Sequence, residues 1–76
     1  SEGTYKVALV LRPYKKGETP DFHWYRQNSD GSWSHKPGGN SAVNWDSSQE
    51  TIYDPEHCNW GYYTVFVGYF EVTPLD

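Results

Sequence analysis

Residues Tyr5 to Arg12, Y-K-V-A-L-V-L-R, form the most apolar continuous run of the chain and stop at Pro13. The run is apolar at odd and even positions alike and rich in aliphatic side chains, which predicts a strand buried on both faces, at the centre of a sheet. Tyr62 to Val72 carries the longest strand signal. Its two interleaved sets, Tyr62, Thr64, Phe66, Gly68, Phe70 and Val72 against Tyr63, Val65, Val67, Tyr69 and Glu71, are both largely apolar, so a second central strand is expected beside the first. Gly68 within it marks a bulge or the close approach of another ring. Between these runs, Phe22 to His35 alternates around Asn28-Ser29-Asp30-Gly31, the pattern of a β-hairpin. Strand parity places Phe22, Trp24 and Arg26 on one face of its first strand, His23 and Tyr25 on the other, and Trp33 with His35 on one face of the second.

The remaining segments read as short elements and turns. Lys15 to Pro20 is a polar loop, and Lys36-Pro37-Gly38-Gly39-Asn40-Ser41 is a turn in which Gly38 or Gly39 is expected to take a positive φ. Ala42 to Trp45 and Thr51 to Tyr53 are short strand candidates. Asp54-Pro55-Glu56 combines an N-cap residue, a proline at the first helical position and an acid in the first turn, which predicts one helical turn closed by Gly61. No segment sustains a helical period. The expected fold class is all-β or β-dominated α+β: a small sheet or partly open barrel of about five or six short strands. One domain over residues 1–76 is expected, with flexible margins at 1–4 and 73–76.

Composition narrows the function classes. Fourteen of the 76 residues are aromatic (four Trp, seven Tyr, three Phe), enough to supply most of a small core, with any surplus left on the surface as a binding platform. Ten acidic against six basic residues give a net charge of −4, which argues against electrostatic capture of nucleic acid. A local basic site for one anionic group remains compatible with that balance. The single cysteine, Cys58, allows no internal disulfide and no Cys-x-x-Cys zinc site, which fits a reducing cytoplasm or a secreted domain that does without disulfides. No run of apolar residues is long enough to cross a membrane as a helix.

Four constellations could carry chemistry. His23, Arg26, His35 and Lys36 combine proton-exchanging rings with cations able to hold an oxyanion or phosphate, the equipment of a metal-independent acid–base catalyst. Parity sets His23 and Arg26 on opposite faces, so convergence of all four requires a bulge or a different matching of the second strand's face, and ordinary cross-strand stacking on Trp24 and Trp33 is the structural alternative. Cys58 with His23 or His35, oriented by Asn59 or Asp46, is a thiol-nucleophile arrangement, set against an inert half-buried cysteine. His35, His57, Asp46 and Asp54 are of metal-ligand type but lack ligand spacing, so no metal or other cofactor is expected. Trp24, Trp33, Trp45 and Trp60 with Tyr14, Tyr25, Tyr53 and Tyr62 could present stacking surfaces to sugar rings, peptide prolines or bases.

The stretch D-F-H-W-Y-R-Q-N-S-D-G-S-W-S-H-K-P-G, followed by D-P-x-x-C-N and a closing F-V-G-Y-F, resembles a pattern of small uncharacterised bacterial proteins and domains, over roughly Tyr5 to Val72. The matching positions are His23, Tyr25, Arg26, Trp33, Ser34, His35, Lys36, Pro37 and Gly38, and the resemblance implies no activity for any of them. The residues themselves favour a binding or interaction module whose site is Trp24, Tyr25, Arg26, Trp33, Ser34, His35 and Lys36, with a small molecule, a glycan or a protein as ligand. A hydrolase or transferase using His23 and His35 with Arg26 or Lys36 is the rival, and an inhibitor or toxin-like partner of another protein is a third reading.

Overall fold

A computed structural model of the chain describes residues 3–74. Four strands, β1 (Tyr5–Arg12), β2 (Asp21–Gln27), β3 (Trp33–Ser34) and β4 (Val65–Val72), make one open antiparallel sheet in the order β3-β2-β1-β4. The described residues contain no helix. The two-faced run Tyr5 to Arg12 is central, as its pattern predicts. The expected five or six strands reduce to four because Ala42–Trp45 and Thr51–Tyr53 contribute only the isolated bridges His35 to Val43 and Trp45 to Thr51. Asp54-Pro55-Glu56 forms a turn, closed by the His57 N–H donating to the Asp54 carbonyl at 3.1 Å, and goes no further towards a helix. The outer parts of the expected flexible margins, residues 1–2 and 75–76, lie outside the described residues.

The long C-terminal strand is an edge strand, which corrects the central position expected from its apolar pattern. It pairs with β1 on one side only, and Val65, Val67, Tyr69 and Phe70 are each 40–47 % exposed. A register shift between Leu9 and Val10 of β1 explains its mixed pattern: the extra residue inverts the strand's parity at the bulge. Phe66 and Tyr69, three positions apart, therefore meet on one face with ring centroids 5.2 Å apart, whereas strict alternation would separate them.

One face of the sheet is covered and the other is open. Ala8, Val10, Tyr25, Trp33 and Ile52 form the buried cluster, with Cys58, Trp60, Tyr63 and Phe66 packed around it. The cover is the irregular chain between β3 and β4. Its attachment runs through backbone bonds at Ile52, whose carbonyl accepts from the Trp33 N–H (2.8 Å) and whose N–H donates to the Asn44 carbonyl (2.9 Å). On the opposite face Phe22 and Trp24 are 59 % and 44 % exposed, Trp24 meets Phe70 edge-on at 6.0 Å, and the Arg26 guanidinium lies 3.9 Å over the Tyr5 ring.

Candidate functional site

The hairpin turn is fixed by its own polar side chains. The Asn28 N–H donates to the Ser32 carbonyl (2.7 Å), Asp30 Oδ1 accepts from the Ser32 N–H and hydroxyl (2.9 and 2.6 Å), and Asn28 Nδ2 reaches the hydroxyls of Ser32 and Ser34 (3.1 and 2.8 Å). Trp33 and Ser34 then pair with Gln27 and Arg26, and there the ladder ends. His35 bonds to Val43 in both directions instead (2.9 and 2.8 Å), and Pro37, which has no N–H to give, opens the turn in which the Asn40 N–H donates to its carbonyl (3.1 Å). Gly38 takes the positive φ expected of this turn, 58°. The chain thereby leaves β2 at the level of Trp24.

That departure opens a groove of about 490 Å³ along β2, lined by His23, Trp24, Tyr25, Arg26, Ser34, His35 and Lys36, with Phe22 and Ala42 at its margins. Of the sequence-predicted binding residues, only Trp33 is absent from the lining. It is 4 % exposed and packs under the sheet against Tyr69, at 5.6 Å between ring centroids. Tyr25 is 1 % exposed, so its ring supports the groove floor and offers no face to a ligand. Phe22 and Ala42 are additional lining residues. Phe22 was legible from its parity with Trp24; Ala42 was not, because only the turn at 36–41 brings it back to β2.

The two histidines meet, while Arg26 points to the other face of the sheet. His23 and His35 lie on the covered side of the sheet, with His23 Nε2 2.8 Å from His35 Nδ1 and His35 Nε2 2.8 Å from the Trp45 carbonyl. A carbonyl only accepts, so His35 Nε2 carries a proton and donates it; in the neutral pair His35 Nδ1 accepts the proton on His23 Nε2. Both ring nitrogens of His35 are thus occupied. His23 stacks on Tyr63 at 5.1 Å with 14° between planes and meets Tyr25 edge-on at 5.4 Å. Burial, aided by the neighbouring His35, lowers its pKa from 6.5 against the opposing pull of Asp21. Arg26 and Ser34 are register partners whose side chains point to the open face, the side opposite the histidines.

The other two constellations take different forms. Cys58 is in contact with Tyr25 and donates to the Pro55 carbonyl at 3.4 Å; burial, with Asp46 nearby, pushes its thiol up to about 11. A thiol held that high is not a nucleophile at neutral pH. His57 pairs with Asp54 at 2.8 Å on the surface. Asp46 spends its carboxylate on backbone donors, with Oδ1 accepting from the N–H of Ser48 (2.8 Å) and Glu50 (3.0 Å) and Oδ2 from that of Asn59 (3.0 Å). Asp46, of ligand or orienting type by sequence, is instead a structural acceptor, a role whose signal is an Asp two residues before an N–H it can reach, the pattern of an Asx turn. Among the described residues, no three His, Cys, Asp or Glu side chains are grouped so as to hold a metal ion, and no helix is long and apolar enough to cross a membrane.

Comparison with known proteins gives one informative similarity. The chain is 44 % identical over 68 residues to "Insoluble matrix shell protein 1" of the clam Ruditapes philippinarum, across 90 % of this chain and 43 % of the relative. It thus spans less than half the length of that curated relative. No family model matches the chain, and no solved structure matches it. The clam similarity corrects the resemblance to bacterial proteins: it points to a eukaryotic, molluscan protein.

Proposed function

We propose that this chain is a binding module for a polymeric component of an organic matrix, and that it makes contact through the rim of the β2 groove: Trp24, Arg26 and Lys36, with Ser34 and His35 bordering it. The observation that carries the reading is the gathering of an exposed indole and two cations at one groove, opened where β3 stops after two residues. An exposed aromatic face accepts the flat side of a sugar ring or an apolar side chain, and cations beside it hold carboxylate or sulfate groups. The printed name of the clam relative supports a matrix setting. His35, with both nitrogens engaged, acts in this reading as the tie between the hairpin and the Val43–Trp45 segment, and the buried Tyr25 and Trp33 hold the groove from beneath.

The test is chemical-shift mapping of the protein against soluble fragments of the candidate polymers: chito-oligosaccharides, sulfated oligosaccharides, and short extended peptides of either charge. The expected result is a ligand that moves the amide signals of Trp24, Arg26 and Lys36, and a Trp24→Ala variant that keeps its fold but binds about tenfold more weakly, the loss of about 1.4 kcal/mol of contact. Shifts confined to residues remote from the Phe22–Gly38 hairpin would overturn the assignment. Turnover of any probe, abolished by His35→Ala, would instead favour the catalytic reading.

A further inference from the structure

The backbone of β2 adds something that the side chains alone do not. In an antiparallel sheet the N–H and C=O of successive residues point alternately to the two sides of a strand. The Thr64 N–H donates to the Leu11 carbonyl (2.8 Å), so the odd residues of β1 face β4 and the even ones face β2. Ala8 and Val10 pair with Tyr25 and His23, which assigns the odd backbone groups of β2 to β1 and those of Phe22, Trp24 and Arg26 to the outer side. The hairpin gives the same answer independently: the Asn28 N–H bonds to Ser32, so Arg26, two residues back, bonds to Ser34. Trp24 is next in that series. Its partner by register would be Lys36, and no such pair forms.

At the far end, the Phe22 N–H is satisfied by the carboxylate of its own neighbour, Asp21 Oδ1, at 2.7 Å. Between that cap and Arg26, the sheet presents an open stretch of edge, with the Trp24 N–H and C=O and the Phe22 C=O turned outward. Natural sheets guard such edges by covering, charging or shortening them. Here the edge instead forms one wall of the groove, and Lys36 and Ala42, at the two ends of the departing turn, face it from the other side.

From this arrangement, together with its charge, we infer that the β2 groove takes an acidic, extended polypeptide segment as an added strand, antiparallel to β2 at Trp24, with carboxylates at alternate positions on the open face of the sheet. This rests on the binding reading above and names the class of ligand. Main-chain bonds to an exposed edge supply affinity in strand addition, and alternate side chains supply specificity. The alternate positions matter: Arg26 and Ser34 lie on the open face, and Lys36 lines the same groove as they and Trp24 do. An added strand that continues the ladder beside Trp24 sends every second side chain to that face, within reach of Arg26 and Lys36, with the Trp24 ring between them.

The charge of the groove is local. Its lining contains no carboxylate, although acids outnumber bases ten to six in the chain. Among the described residues, Arg26 and Lys36 have no carboxylate partner, whereas Arg12 is paired with Glu18 at 2.7 Å. Of the acids that flank Arg26 and Lys36 in sequence, Asp30 is held by the Ser32 N–H and hydroxyl (2.9 and 2.6 Å), and Asp21 by the Phe22 N–H and the Tyr63 hydroxyl (3.2 Å). Among the described residues the outer edge of β4 is also unpaired, but its one charged residue is Glu71, which would repel the same ligand.

The experiment uses the 76-residue chain, a capped (Asp-Val)3 peptide, the same peptide N-methylated on alternate amides, the (Lys-Val)3 counterpart, and chitohexaose, in about 0.15 M salt so that long-range charge is screened. The expected result is that (Asp-Val)3 binds, slows exchange of the Trp24 amide proton and shifts Arg26 and Lys36. N-methylation on the bonding edge should abolish that protection. Arg26→Glu with Lys36→Glu should lower affinity for the acidic peptide at least about tenfold and turn preference towards (Lys-Val)3. Equal binding of the methylated and unmethylated acidic peptides would overturn strand addition. Binding of chitohexaose at Trp24 with no peptide bound would overturn this inference and leave the binding module standing, while no ligand at the hairpin at all would remove both.

Discussion

Asp46 holds the covering layer to itself, and changing it to Asn tests how the fold is secured. Its Oδ1 closes the local turn by accepting from Ser48 and Glu50, whereas Oδ2 reaches across thirteen residues to the Asn59 N–H. An asparagine can place its one carbonyl oxygen on Ser48 and Glu50, but its NH₂ group then faces the Asn59 N–H, donor against donor. The alternative flip satisfies Asn59 and sets the NH₂ against two donors. Leaving one part-buried N–H against another donor costs about 1–2 kcal/mol, and losing the charge on the two surviving bonds adds roughly 1 kcal/mol, so Asp46→Asn is expected to destabilise by about 2–3 kcal/mol. A chain of this size rarely has more than about 3–5 kcal/mol in hand. The substitution should bring it to the edge of unfolding at room temperature.

The pH dependence gives a second, independent reading of the same bonds. Burial pushes the Asp46 carboxyl up, but the Asn59, Glu50 and Ser48 N–H groups outweigh it and hold the pKa below its ordinary 3.8. A depressed carboxyl contributes stability that is complete above 3.8 and is lost as pH falls through the folded value. Urea unfolding followed by tryptophan fluorescence should therefore show a gap between wild type and Asp46→Asn that is constant near neutrality and narrows below about pH 4. The other acids titrate alike in both proteins and cancel in the difference. A gap below about 0.5 kcal/mol at pH 7, or one equally wide at pH 3, would refute this role of the Asp46 carboxylate.

Four further outcomes are expected. Gly61→Ala should cost about 1–3 kcal/mol, because φ is +63° and an added Cβ would stand 2.5 Å from Ser47 Oγ; Ser47→Gly in the same chain should recover only the steric part, and a neutral Gly61→Ala in thermal melts would contradict the geometry. Trp33→Ala, emptying a core site, should cost about 3–5 kcal/mol by urea titration, while Trp24→Ala leaves the near-UV and far-UV dichroism of the fold intact. Cys58 should alkylate slowly with iodoacetamide at pH 8, since its thiol is pushed up to about 11; a rate matching free cysteine would show that the site is open. In proton NMR His23 should titrate below 6.5, and because its lowered pKa favours the neutral ring in the fold, the corresponding stability is full above 6.5 and is lost as pH falls towards the folded value.

How much of this was legible depends on which physical question each residue answers. The apolarity of a strand reports what its side chains meet, and says nothing of which strands pair with its backbone. Tyr5–Arg12 and Tyr62–Val72 looked alike for that reason, yet one is central and the other, ordered as a strand only from Val65, is an edge with an uncovered face. Parity was the better guide. It separated the histidines from Arg26 and placed Trp24 with Phe22, and it failed only where the bulge between Leu9 and Val10 inverted β4. Nothing in the hairpin's alternation tells which of its faces is covered, so Trp24, Tyr25 and Trp33 were equivalent candidates. That choice is made by residues 36–64, whose irregular path depends on single contacts such as Ile52 to Trp33 and Asp46 to Asn59.

The same path explains why the groove and the histidine pair can serve different ends while sharing a strand. A two-residue β3 is too short to stabilise the hairpin through its ladder alone, so something else must hold the segment after Ser34 near β2. His35 does this from the covered side, through His23 and the Trp45 carbonyl, without occupying the outward backbone groups of Trp24. Had the segment continued as a strand, Lys36 would have closed that edge; had it been released, no second wall would face Trp24. His35→Ala separates these cases. In the proposed reading it removes the tie, widens the groove and weakens ligand binding through faster release, and a double substitution with His23→Ala should add little, because the two rings act through one bond. Strictly additive losses from the two changes would mean that each histidine contacts the ligand in its own right.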